Sequence, residues 1–121
     1  METGQPPSPQ RTVRVGDHAI PTDSEGYLLD RHDWSEDFAY ALAREEGLVL
    51  TARHWALIRF LREYFQEHGV QAQVRVMIRH FTNLWGPQHG SNHALHELFP
   101  VGGPQKQGNR LAGLLRTKGE H

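Results

Sequence analysis

Three apolar stripes at helical spacing, each followed by a glycine, constrain this chain more than any other feature. Trp34, Phe38, Ala41 and Leu42 fall on one helical face ahead of Gly47. Trp55, Ile58, Leu61 and Phe65 repeat the pattern ahead of Gly69, with Leu57 and Tyr64 widening the stripe enough to place that helix centrally. Val74, Met77, Ile78 and Phe81 form the third stripe, ahead of Gly86. A chain with three such faces must bury them against one another, which makes a helical bundle the economical solution. The spacing predicts a first helix from Asp33, with Glu36 closing a capping box, and a second after Thr51 as N-cap. A third is expected from about Gln71 to Leu84.

The flanking segments complete the outline. Thr12–Val15 and His18–Ile20 alternate polar and apolar residues around Gly16-Asp17, a β-hairpin signal. Pro21 to Glu25 reads as a turn, and Tyr27–Leu29 as a brief extended piece. Gly86–Gly90 reads as a loop, Ser91 as the cap of a short helix through Phe99, and Pro100 with Gly102-Gly103 as its end. The fold class expected is mainly α: an orthogonal bundle with a helix-turn-helix-like pair, an N-terminal β-hairpin and a C-terminal arm. Residues 1–10 are expected to be a disordered leader, 11–103 the domain and 104–121 the arm. The arm's anchors Leu111, Ala112, Leu114 and Leu115 allow either a helical turn against the body or a free segment.

Size and charge narrow the function. With 121 residues there is room for one modest core. No apolar run is long enough to span a bilayer, and the start of the chain lacks a basic region and an apolar stretch, so the expected location is the cytoplasm. There is no cysteine, which excludes disulfides and thiolate metal sites. The net charge of -1 conceals an asymmetry: residues 1–50 hold four arginines against ten acids, and residues 51–121 hold nine basic residues against four acids. The simplest account is mutual neutralisation across the fold.

The ordered blocks Glu25–Asp30, Asp33–Asp37, Ala41–Gly47, Leu50–Trp55, Phe60–Phe65, Val74–Val76 and Leu98–Pro100 lead into Gly102-Gly103-Pro104-Gln105-Lys106-Gln107 and Ala112-Gly113-Leu114. In this order they resemble the DsrC/TusE group. That group includes the gamma subunit of dissimilatory sulfite reductase and the sulfur-accepting relay protein of tRNA thiolation. Sulfur-carrying members have tails like Lys-Gln-x-Cys-(Arg/Lys)-x-Ala-Gly-Leu-Pro-Lys-Pro, with a second cysteine at the penultimate position. On that pattern Asn109 stands at the inner cysteine and Glu120 at the penultimate one, and Leu115-Arg116-Thr117 replaces the Pro-Lys-Pro portion. Persulfide chemistry needs a thiolate. The resemblance therefore implies a cysteine-less homologue repurposed for binding or regulation, in preference to a thiol-stripped laboratory variant or a drifted paralogue.

The expectation drawn is a non-catalytic protein of sulfur metabolism, no enzyme, docking on a TusBCD/DsrEFH-like sulfurtransferase or on a sulfite reductase. Lys106, Gln107, Arg110, Gly113 and Leu114 are its candidate partner contacts. A second reading is DNA-binding transcriptional regulation, with Gln71, Gln73, Arg75 and Arg79 on the recognition helix; a third is an accessory role in tRNA thiolation. Arg75, Arg79, Lys106 and Arg110 are also a candidate anion cluster. His89, His93, His96 and Glu97 do not match a zinc motif, and no nucleophile elbow, phosphate loop or dinucleotide fingerprint is present, so neither metal nor cofactor is expected.

Overall fold

A computed structural model describes residues 11–115. Strands β1 (Arg11–Val15) and β2 (His18–Thr22) pair antiparallel, with Val13 opposite Ile20 and Val15 opposite His18. Gly16 takes φ 60° at the turn, a conformation that costs a residue with a Cβ. Alternation sends Val13 fully into the core, while Thr12 and Arg14 face outward. Arg11 also pairs with Glu45, tying the hairpin to the first helix. The extended piece at Tyr27–Leu29 reduces to one bridge, Leu28 to Thr22.

Helix α1 (Glu36–Glu45) starts two residues later than the Asp33 capping box implies. Asp30 instead accepts the amide of His32 and closes residues 31–33 into a single 3-10 turn. Ser35 then caps α1 by accepting the Phe38 amide at 3.0 Å. A short hydroxyl side chain is as good a cap as a carboxylate here, and it leaves Glu36 and Asp37 in the first turn, where the helix dipole favours them. The consequence is that Trp34 lies outside the helix. Its indole is released from the α1 stripe, which becomes Phe38, Ala39, Leu42 and Ala43.

Helix α2 (Ala52–His68) begins and ends where expected, with Thr51 as N-cap and Gly69 left-handed at φ 74°. Its buried face is Trp55, Leu57, Ile58 and Leu61, together with His54. Helix α3 (Val74–Trp85) starts later than expected, because Gln71 to Gln73 stay extended while Ala72 plugs the core. The expected loop at 86–90 contains α4 (Pro87–Gly90), a single turn against α3. Gly90 permits this contact: a Cβ there would sit 2.2 Å from the Thr82 amide nitrogen. Ser91 caps α5 (Asn92–Leu98) through the Ala94 amide, as expected.

The main difference lies beyond residue 102. Gly102 and Gly103, at φ 105° and 86°, turn the chain, and Pro104 occupies the first turn of α6 (Gly103–Leu111). Proline suits a first turn because its missing N–H has no intrahelical partner to lose. Helix α6 thus lies in the stretch expected to be the arm, and the described part of that arm is docked. Gly108 faces α2, where an added Cβ would lie 3.0 Å from Leu61 and 3.1 Å from Leu57. Leu111, Ala112 and Leu114 join the core of Phe38, Leu42, Leu57, Leu61, Met77, Phe81, Leu95 and Phe99. The leader at 1–10 and the end of the arm, 116–121 with Glu120, lie outside the described residues.

His54 links this bundle to solution pH. Its Nδ1 accepts the Thr51 amide at 3.0 Å and its Nε2–H donates to the Leu98 carbonyl at 2.7 Å, so α2 is clamped to α5 by a neutral ring. Burial, only partly offset by the Leu98 bond, holds its pKa below the ordinary 6.5. The unfolded chain therefore binds this proton first. The clamp's contribution is complete above pH 6.5 and is lost as pH falls from there through the folded value. Urea melts between pH 7.5 and 5 are expected to show falling stability, with a shallower fall in His54→Gln (about these pH limits, set by the histidine range).

Candidate functional site

The docked helix α6 is held by a buried polar latch. Glu46, the C-cap of α1, accepts two hydrogen bonds from Arg110, Nε to Oε2 and Nη2 to Oε1, both at 3.1 Å. Gln107 Nε2 donates to the same carboxylate at 2.8 Å. Val101 closes the group: its amide donates to Gln107 Oε1 at 2.9 Å and its carbonyl accepts from Arg110 Nη2 at 2.7 Å. The Arg110 and Glu46 side chains are only 6% and 9% exposed. Burial by itself works against the guanidinium charge, yet the Glu46 hydrogen bonds and charge outweigh it and raise the Arg110 pKa.

One helical step away, Asn109 is 1% exposed, and neither Oδ1 nor Nδ2 has a hydrogen-bond partner among the described residues. An unpaired buried amide is unfavourable by about 1–3 kcal/mol. The site suits a less polar side chain of similar size. A thiol is such a group, since a free cysteine behaves in cores as a small hydrophobe.

After α6 the chain turns at Gly113, with φ 74°. This glycine lies against Trp34, whose ring atoms would come within 2.2 Å of a Cβ. The Trp34 indole donates to the Leu111 carbonyl at 2.8 Å, and Arg62 Nη1 donates to the Ala112 carbonyl at 2.7 Å. Gln71 holds the Leu115 carbonyl at 3.0 Å. Leu114 forms part of the wall of an open cleft of about 670 Å³ beside this turn. Three arginines enter the cleft over aromatic rings: Arg62 over Trp34 at 3.7 Å, Arg31 over Phe65 at 4.8 Å and Arg59 over Trp55 at 5.6 Å. Burial first, and the nearby Arg31 charge second, depress the Arg62 pKa.

Of the five residues expected to meet a partner, only Lys106 is exposed. Gln107 and Arg110 belong to the latch, Gly113 to the turn and Leu114 to the cleft wall. The anion cluster expected from Arg75, Arg79, Lys106 and Arg110 does not form as an exposed set, because Arg110 is committed to Glu46 inside the protein. Gln73, Arg75 and Arg79 are exposed at the start of α3, where Arg75 Nε donates to Gln73 Oε1 at 3.1 Å. The cationic cleft comes instead from Arg31, Arg59 and Arg62. Its one legible signal was the spacing of Trp55, Arg59 and Arg62, which puts them on one side of α2. Among the described residues no three His, Cys, Asp or Glu side chains converge to hold a metal; His93 pairs with Glu97, and His96 bonds the Asn92 carbonyl. No helix among them is long and apolar enough to cross a membrane.

A hairpin-capped helical bundle that folds its C-terminal helix into its own core defines the class of protein. The family model described as DsrC like protein matches residues 14–119, and the chain belongs to that family. It is 43% identical to the sulfurtransferase TusE of Salmonella choleraesuis over 95 residues, covering 78% of this chain and 86% of that one. The TusE of Escherichia coli is 38% identical over the same span. Among solved structures, the oxidized DsrC gamma subunit of Archaeoglobus fulgidus superposes with a TM-score of 0.80 at 33% identity, covering 91% of this chain and 99% of that one. DsrC of Allochromatium vinosum gives 0.78 at 37%, covering 92% and 98%. These relatives place the chain in a sulfur-relay family. They also correct the expectation that it is no enzyme: proteins about 40% identical are named sulfurtransferases, so sulfur transfer is the family's chemistry. The DNA-binding reading gains no support from them.

Two substitutions probe the latch and its neighbour. Glu46→Ala strands a buried guanidinium and is expected to lower unfolding free energy by about 3–5 kcal/mol in urea melts. Asn109→Cys removes the unpaired amide and is expected to raise it by about 1–3 kcal/mol, measured with reductant present.

Proposed function

We propose that the chain serves a cytoplasmic sulfur relay as a docking component of a sulfurtransferase assembly, presenting the family's body and tail to a partner whose own thiol carries the sulfur. The observation that carries this reading is the retention of the family's fold and of Lys106-Gln107 and Ala112-Gly113-Leu114 around a carboxamide at position 109. Asn109 can accept or donate a hydrogen bond but cannot form a persulfide, since that requires a thiolate. Lys106 is the exposed element of the docking surface. Gln107, Arg110, Gly113 and Leu114 shape that surface from beneath, through the latch and the turn.

A TusBCD/DsrEFH-like sulfurtransferase is the partner favoured, because the named sulfurtransferase relatives are more similar in sequence than the sulfite reductase chains. Docking on a sulfite reductase is the second reading. It is favoured by the chain of matching fold, TM-score 0.74, in the structure of dissimilatory sulfite reductase I.

The test is retention of each purified complex on the immobilised full chain, competed by a thiol-bearing relative, with intact mass recorded after exposure to a persulfidated donor. Competable retention with no added sulfur is expected. Absence of retention by both complexes, or a stable sulfur adduct on this chain, would overturn the reading.

A further inference from the structure

The cleft beside the Gly113 turn holds more hydrogen-bonding capacity than the fold uses. A guanidinium laid on an aromatic face keeps its in-plane N–H groups free, and these match a carboxylate in a two-pronged geometry. Arg31, Arg59 and Arg62 each carry the guanidinium carbon over a ring, 4.8, 5.6 and 3.7 Å from its centroid. Among the described residues none of the three has a carboxylate within 4.0 Å, and the single hydrogen bond spent is Arg62 to the Ala112 carbonyl. His32, also on the cleft, is paired with Asp30. Glu36 and Glu63 line the cleft as well, both exposed, and leave an excess of one positive charge.

Size and lining decide what fits. A bare sulfate would leave most of 670 Å³ empty, and the volume falls in the range that takes a drug-sized or peptide-sized group. The walls between the arginines are Trp34, Trp55, Phe65 and Leu114. Such walls receive apolar side chains, while the guanidinium edges receive carboxylates. We propose that this cleft binds an acidic peptide segment of a protein partner, one that alternates carboxylates with apolar side chains. This deepens the docking reading and rests on it for the partner's identity. The site also touches the end of the docked helix: Trp34 and Arg62 line it while holding the Leu111 and Ala112 carbonyls. An occupant therefore contacts the residues that keep the tail in place.

The indole N–H signals of the two tryptophans that line the cleft, Trp34 and Trp55, report occupancy by NMR on the full chain, and Trp85, which is not on this cleft, is the internal control. The probes are the capped peptide Asp-Glu-Leu-Glu-Asp-Leu, its Asn/Gln/Leu counterpart, and sodium sulfate at equal concentration. The acidic peptide is expected to shift Trp34 and Trp55 saturably and leave Trp85 in place, while the neutral peptide and sulfate move neither. The exposed-residue variants Arg31→Gln and Arg59→Gln should each weaken that binding roughly tenfold, as expected for one charge-assisted contact. Their unchanged spectra elsewhere would show that the fold is intact. Equal shifts from both peptides, shifts from sulfate as large as those from the acidic peptide, no shift at all, or undiminished binding by both variants would overturn the proposal. Because this titration needs no relay complex, the cleft can fail while retention of the complexes stands, and retention can fail while the cleft binds.

Discussion

The buried carboxylate of Glu46 is the interaction on which the placement of helix α6 depends. It receives three hydrogen bonds from Arg110 and Gln107, and those two side chains also satisfy both backbone groups of Val101. Buried ion pairs often contribute little net stability, because desolvation cancels attraction. Their value here is positional. Only one rotation and one height of α6 along α1 lets the guanidinium fork, the amide and the loop all find partners. That placement sets Gly108 against Leu57 and Leu61 and delivers Leu111, Ala112 and Leu114 to the core.

The same placement buries position 109, which is 1% exposed. Its surroundings offer the Asn109 amide no hydrogen bond among the described residues. The scaffold fits a small, weakly polar group better than it fits the side chain it holds. Stability therefore gives no reason for a carboxamide at this position. The latch, the turn and the cleft surround that position without using its amide.

Much of the bundle was legible from periodicity and caps. The stripes on α2 and α3, the left-handed Gly69, the cap at Ser91 and the hairpin around Gly16-Asp17 are local patterns, and local patterns survive into the fold. The errors share a cause. Asp33 and Ser35 are both competent caps, and the choice between them was made by Trp34, which leaves the helix to reach the Leu111 carbonyl far along the chain. The segment from 103 to 111 has a polar, glycine-rich sequence with weak helix propensity, so nothing local marks it as buried helix. The glycines were there to let α6 approach α2 and Trp34 closely.

The sequence by itself determined the family, the helical class and the absence of a thiol, because each is written in residue identity or short-range spacing. Tertiary structure alone decided that Arg110 points inward to Glu46 instead of outward to an anion, and that Arg31 joins Arg59 and Arg62 around one cleft. Charges separated by tens of residues have no period to betray them. Whether a guanidinium is buried and paired or exposed and available depends on which element passes beside it, and that is settled only when the helices pack.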